Sequence, residues 1–436
     1  MQLRRSRLAP APTLDAIPQA RVYTRPLLDR YLPAIALGPM KSELGLSDAS
    51  ISLVQGAAFS IFYCVAGIPL GRAVDHWNRR NLVVIAVLAW STLTIWSGLA
   101  NSFAELFVAR AGIGIAEAIL APATYSIIAD CFEPHRRGRA IGIYFSSLVV
   151  GSSASFIVGG PLLAYLEQAP VDFPILGVLS PWRGAFVLHA LLGVPAMLAA
   201  ITMREPARME IQQHADRAGL RQFLREKAGS LAMLYATFGL LALVSVIAVT
   251  WALTLYNRSL GGDLSRSAVM VGVAILIGGV LRALLSGWFS DRFVRQPGAG
   301  RFRVQITSAL VSTPLLAAWP LMPTVTLSYP MLVLVTTTIT FGMSNIAATI
   351  QDIAPNQLRG QLTAINYIVL MLASGLTPTI VALVTDHAFA DSAALPKSMA
   401  LVGGVFGAVC FVMALKTAKR YAALWLIVPG APSPGP

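Results

Sequence analysis

Charge is what this chain has least of. Only 12% of its 436 residues are Asp, Glu, Lys or Arg, and only 20 are acidic. Soluble domains carry about twice that charged share, so a water-facing globule is excluded. Cysteine is nearly as scarce. Cys64, Cys131 and Cys410 stand apart with no metal or redox spacing, which argues against a disulfide framework or a metal site. The five histidines form no pair at i, i+3 or i+4. With no cluster offering a nucleophile and a base, an enzyme is not expected, and neither is a cofactor.

What fills the chain is hydrophobicity in blocks: 56% of residues are hydrophobic and the mean hydropathy is +0.68. Apolar runs predict helices at 49–70, 81–99, 103–129, 140–166, 182–202, 231–256, 267–289, 304–320, 330–351, 362–384 and 399–415. Runs of about 20 residues cross a hydrocarbon core of roughly 30 Å as helices. Several are apolar on every face, which a soluble amphipathic bundle does not allow. The fold class is therefore all-α polytopic membrane protein.

The chain also repeats itself. Gly71-Arg72-Ala73-Val74-Asp75 closes one apolar run, and Gly287-Trp288-Phe289-Ser290-Asp291 closes another 216 residues later. Asp130 with Arg137-Gly138 returns as Asp352 with Arg359-Gly360 at an offset of 222. Ser47 and Ser265, expected to cap the helices that follow them, are 218 apart. Two equivalent halves are a common plan of secondary transporters. Symmetry asks for six helices in each half, twelve in all. The first is weak: its place near 13–40 holds or adjoins Pro12, Pro18, Pro26, Asp15, Arg21, Arg25, Asp29 and Arg30. A helix from about Leu27 to Met40 is expected there, kinked by Pro33 and Pro39. It is either short and shielded by its neighbours or irregular. The organisation expected is an irregular segment 1–26, a six-helix bundle 27–202, a linker 203–230 with a surface helix, a second bundle 231–416, and a tail 417–436.

Net charge of +13 raises the question of nucleic acid, but its placement answers it. The alternate loops 71–80, 131–139, 203–230, 290–303 and 352–361 hold 17 Lys and Arg, while the opposite loops hold only Lys41, Arg258, Arg266 and Lys397. That is the positive-inside asymmetry, which puts both termini in the cytoplasm of an inner or plasma membrane. Anionic lipid headgroups account for the basic balance, and no nucleic-acid partner is expected.

Ionisable groups at bilayer depth are costly, so each is a functional candidate. At 1.5 Å per residue, Glu117 lies about 21 Å below the outer face, Asp29 and Arg30 roughly 17 Å, and Arg282 about 22 Å. Residues of both halves thus meet near the midplane, where transporters bind substrate. Arg282 and Arg30 suit an anionic headgroup, because guanidinium forks fit phosphate or carboxylate. Glu117, with Asp29, is the proton-coupling candidate. Arg110, seven residues earlier on the same helical face, is a relay or second anion contact. The plainer readings are a structural Glu117–Arg30 ion pair and a fold-supporting Arg110. Gly112 and Gly114 sit inside an apolar helix and point to close packing. The serines of 146–155 and Thr336, Thr337, Thr338 and Thr340 are expected to hydrogen-bond between helices. Tyr63, Trp251 and Tyr256 read as core aromatics.

These residues resemble the major facilitator superfamily. Gly71, Asp75, Arg79 and Arg80 match its hinge motif between helices 2 and 3, with His76 and Asn78 departing from it. Gly287, Asp291 and Arg292 form the second copy, Arg110 and Gly114 match its fourth-helix motif, and Gly159-Gly160-Pro161 is similar to its fifth-helix glycine-proline motif. Asp29-Arg30, the run Gly112 to Ala118 and Ser126 to Asp130 resemble the spinster branch, associated with export of lysolipids and sphingosine-1-phosphate. The resemblance implies a monomeric transporter of two six-helix bundles. Its substrate is expected to be an amphipathic anion or lipid moved with protons. A proton-coupled exporter of drugs or small organic anions is the alternative, and a non-transporting receptor or scaffold is one of another class. The resemblance also implies latches: Asp75 near Arg359 and Gly360, and Asp291 near Arg137 and Arg139.

Overall fold

The computed structural model describes residues 31–203, 205–208, 217–294, 300–355 and 358–425. Twelve helical spans are labelled α1 to α12. The first pair of short helices, Leu32–Ile35 and Leu37–Leu44, is α1. Then come α2 (Asp48–His76), α3 (Arg79–Leu99), α4 (Phe103–Cys131), α5 (Pro134–Gln168) and α6 (Pro181–Thr202). The second bundle has α7 (Ala228–Ser259), α8 (Leu264–Val294), α9 (Arg303–Leu321), α10 (Val325–Ile353), α11 (Arg359–Phe389) and α12 (Leu395–Trp425). A two-stranded ribbon, β1 (Asp172–Phe173) with β2 (Gly177–Val178), joins α5 to α6. Arg217–Glu226 forms the expected linker helix. Eleven spans are long and apolar enough to cross a membrane by length and composition. The eleven expected apolar runs all fall within them, and only α12 runs well past its expected end.

Burial explains how the weak first helix survives. Leu32, Ile35, Ala36, Leu37 and Met40 are each at most 2% exposed, packed with Phe156 of α5 and Trp251 of α7. Protein, not lipid, surrounds this helix, so an 18-residue apolar run is not needed. It breaks at Ala36, where the missing N–H of Pro39 cannot reach back four residues.

Helix ends follow local chemistry. The Ser47 hydroxyl accepts from Ser50 N at 3.0 Å, as expected. Ser265 does not cap α8: the Asp263 carboxylate accepts from Arg266 N at 2.7 Å, two residues earlier in the chain. The repeat reaches individual hydrogen bonds. Arg137 donates to the Phe132 carbonyl at 3.0 Å, and Arg359, 222 residues on, donates to the Ala354 carbonyl at 3.3 Å.

The bundles meet along α2 with α11 and along α5 with α8. On α5 and α8, Gly160 faces Ala268, Gly272 faces Ser153 and Ile157, and Gly279 faces Val149. That antiparallel register sets Arg282 level with Ser146. The hydroxyls of Ser146, Ser147, Ser152, Ser153 and Ser155 donate to carbonyls of their own helix, the usual local alternative for serine. Thr336 and Thr340 do bond across, to Ala274 and Gly278 carbonyls of α8.

Candidate functional site

The face carrying the 71–80 hinge and the opposite face differ sharply. On the opposite, far face the bundles are joined. Asp48, fully buried, accepts from Arg258 at 2.6 and 3.0 Å and from Lys41 at 2.7 Å. Ala49 N donates to the Asp386 carboxylate at 3.0 Å, tying the start of α2 to the end of α11. Deeper in, Gly56 packs on the Gly375 carbonyl so closely that a Cβ there has no room. Tyr63 then meets Tyr367, ring centroids 6.0 Å apart and hydroxyls 3.5 Å apart.

A Cβ on Gly71 or Gly360 meets nothing within 4 Å, and Asp75 is exposed. Among the described residues no ion pair joins Asp75 to Arg359, so the structure does not bring these latch candidates together. Instead, Arg208 of the linker donates to the carbonyls of Val74, Asp75 and Trp77, capping the end of α2. Arg79 is fully buried, pairs with Asp130, donates to Glu205 at 2.8 Å and also bonds Ser126 and the Pro206 carbonyl. The Glu205 carboxylate accepts from Arg80 N as well, at 2.8 Å. This network lies within the first bundle and pins the linker to it. The side chains of Asp291 and Arg292 lie outside the described residues, as do Asp29 and Arg30, so their expected contacts stay as expectations.

Midway between the faces sits Glu117. It ends the helix Phe103–Glu117, and α4 resumes at Leu120, because Pro122 cannot donate back to the Ala118 carbonyl. Glu117 is 8% exposed and Arg110 1%. Arg110 stands over the Phe59 ring at 5.9 Å, and Gly114 packs on the Phe59 carbonyl, where a side chain has no space. Gly112 packs on Leu93 in the same way, so both glycines serve helix packing. Phe59 in turn meets Tyr63 at 5.6 Å, and Tyr63 lies within electrostatic reach of Glu117 and Tyr144. Arg282 of α8 is half-buried and makes no hydrogen bond or ion pair among the described residues. Glu117 and Arg110 of one bundle are thus buried charges within the spans, and Arg282 of the other is a half-buried one.

Sequence reasoning missed two sets of residues. The far-face carboxylates Asp48 and Asp386 were not singled out, since the contacts that tie them across the bundles lie 210 and 337 residues away. Tyr63, Tyr125, Tyr144 and Tyr367 gave no periodic signal, because each comes from a different helix.

Comparison with known proteins agrees with this geometry. The family model described as Major Facilitator Superfamily matches residues 27–378. An MFS-type efflux pump of Mycolicibacterium smegmatis is 28% identical over 300 residues, which cover 68% of this chain and 66% of that protein. Human protein spinster homolog 1 is 26% identical over 192 residues, 43% of this chain and 34% of that protein. The chain thus spans about two thirds of the efflux pump and a third of the human relative. The crystal structure of a bacterial homolog of the human lysosomal transporter spinster, inward-facing and unoccupied, matches with a TM-score of 0.78 at 22% identity, over 96% of this chain and 98% of that one. The D-xylose–proton symporter matches with a TM-score of 0.71 at 15% identity, over 93% and 97%. With paired six-helix bundles, a repeated hinge and a family match across most of its length, this chain belongs to the major facilitator superfamily and resembles its spinster branch.

Proposed function

We propose that this protein is a proton-coupled secondary transporter of amphipathic anionic lipids, lysophospholipids or sphingoid phosphates, working by alternating access as a monomer. One observation carries the reading. Buried or half-buried charges lie within the spans of both bundles, while the Asp48–Arg258 pair ties the bundles together on the far face and Asp75 on the hinge face stands exposed. Buried charges in spans mark ion and substrate pathways. Glu117, with Asp29, takes up and releases the proton. Arg282, with Arg30 and Arg110, holds the anionic group, and Arg282 is the strongest of these because it lacks a described protein partner.

The hinge face is the cytoplasmic one, by the excess of Lys and Arg there. The structure is then the inward-open state. Asp75 and Asp291 engage Arg359 and Arg137 when that side closes, while the Asp48–Arg258 pair must break for the far side to open. The protein's place is the inner or plasma membrane with both termini cytoplasmic.

The second reading, a proton-coupled exporter of drugs or small organic anions, is favoured by the longer match to the mycobacterial efflux pump. A direct test is pH recording in lightly buffered solution while a lysolipid is added to the purified protein. A pH change that Glu117→Gln abolishes supports the coupling. Lysolipid binding with no proton movement overturns it.

A further inference from the structure

The ribbon between α5 and α6 ends in a tip poorly suited to water. Phe173 to Leu176 form a tight turn, closed by Leu176 N donating to the Phe173 carbonyl at 3.1 Å, with Pro174 and Ile175 at its two central places. Ile175 has a φ of 77°, in the left-handed region. A turn of this kind is type II, which favours proline at the first central place and glycine or asparagine at the second, where a Cβ is crowded. A β-branched residue there is an outlier. This one is also fully exposed, and beside it Leu176 and Val178 are 38% and 66% exposed. Strain held at an exposed apolar tip is a reason to look for a surface that covers it.

The packing of Phe173 fixes the level of the ribbon. A Cβ on Gly184, in the first turn of α6, would meet the Phe173 ring at 3.4 Å and Leu166, in the last turn of α5, at 3.5 Å. Phe173 and Leu166 are both buried, so the ribbon is riveted alongside the two helix ends and does not stand above them. Ile175, two residues on, lies within about 7 Å of that level. On α5, Gly159 faces Ile35 of α1 and Gly160 faces Ala268 of α8. On the side turned away from both, Ile143, Val150, Val158 and Tyr165 form one stripe, each more than half exposed. Lipid covers such a stripe on a spanning helix, and Tyr165 in the last turn holds the place of an interfacial aromatic. The ribbon tip adds apolar surface at the level where that stripe ends. No Lys or Arg lies between Arg139 and Arg183, so attraction to anionic headgroups has no part in it.

We propose that this ribbon is a membrane finger whose occupied surface is the far lipid leaflet. Ile175, Leu176 and Val178 enter the headgroup–acyl boundary, into which interfacial apolar elements dip about 5–10 Å. Through Phe173 the finger fixes the far ends of α5 and α6 at the leaflet. The contact is apolar and independent of lipid charge.

The test reads depth by power saturation of nitroxide labels on the full-length protein in phosphatidylcholine nanodiscs, in a background without Cys64, Cys131 and Cys410. Oxygen concentrates among acyl chains and a nickel chelate in water. Val158→Cys on the α5 stripe and Ala393→Cys in an exposed far-face turn calibrate the two extremes. Labels at Ile175→Cys, Leu176→Cys and Val178→Cys should favour oxygen, as Val158→Cys does, and phosphatidylglycerol in place of phosphatidylcholine should leave that preference unchanged. With the label kept at Leu176, adding Ile175→Asp and Val178→Asp should shift it toward the nickel chelate, and a thermal melt confirms that this variant is folded. Labels that favour nickel as Ala393→Cys does overturn the finger. So does low access to both reagents, which marks a protein contact, and so does a Leu176 label that ignores the two aspartates.

Discussion

Removing Arg258 should tip the protein toward opening on its far face. Arg258 lies at the end of α7 in the second bundle and makes two hydrogen bonds to Asp48 of the first, at 2.6 and 3.0 Å. Asp48 is fully buried, and its other partner, Lys41, is on its own bundle at 2.7 Å. Breaking a buried ion pair costs about 3–5 kcal/mol. Lys41 remains, and the Arg258 side chain is 23% exposed, so part of that cost is screened. A charged hydrogen bond in such a setting is worth about 1.5–3 kcal/mol. In the far-open state water reaches Asp48, and the penalty vanishes there. At about 1.4 kcal/mol per tenfold, Arg258→Ala should enrich the far-open population by roughly 10- to 150-fold. Spin labels at Glu167 and Ala393, both exposed at the far face, report the change by pulsed dipolar spectroscopy in a background without Cys64, Cys131 and Cys410. A longer-distance population should grow in Arg258→Ala and in Asp48→Asn, and less so in Arg258→Lys. An unchanged distribution in all three refutes the idea that this network holds the far face shut.

Other consequences are independent of it. Gly56→Val places side-chain carbons against the Gly375 carbonyl, and overpacking of this kind costs about 1–3 kcal/mol, so the melting temperature should fall and the far-face distance should widen. Arg79→Ala removes the buried cation that Asp130 and Glu205 share; a loss of about 3–5 kcal/mol is expected in thermal melts, with Arg79→Lys rescuing only part because it lacks the planar fork. Glu43, in the last turn of α1 and outside the eleven long apolar spans, is pH-sensitive: burial raises its carboxyl, but bonds from Arg183 and Trp182 outweigh that and hold it below its ordinary value. Its folded pKa being depressed, its contribution is complete above the unfolded value of about 4.3 and is lost as pH falls through the folded one. The gap between the melts of wild type and Glu43→Gln at pH 7 should therefore shrink below pH 4.

Sequence and structure part company at identifiable places. The eleven long helices were legible because lipid imposes length and apolarity on any helix it surrounds. The first helix was legible only through the symmetry of the halves, since Leu32 to Met40 are covered by protein and escape that rule. Glu117, Arg110 and Arg282 were legible as charges at depth, and the structure buries the first two and half-buries the third. Asp48 was hidden: its partners Lys41 and Arg258 are 7 and 210 residues away, and all three looked like solvated loop charges. Arg79 was singled out as a hinge residue, but its carboxylate partners Asp130 and Glu205 lie 51 and 126 residues on. Ser152 and Ser153 of α5 illustrate the converse error. Their clustering suggested bonds between helices, yet a serine in a helix satisfies itself on the preceding turn. Which face is open follows from contacts between the bundles, and neither half of the chain encodes that alone.

Uptake of a labelled lysolipid into proteoliposomes, with and without an imposed pH gradient, tests the central claim most directly when wild type is set beside Glu117→Gln. Gradient-driven accumulation in the wild type, abolished by the substitution while the fold is retained, is the predicted result. Accumulation that ignores the gradient, or that Glu117→Gln leaves intact, contradicts the account.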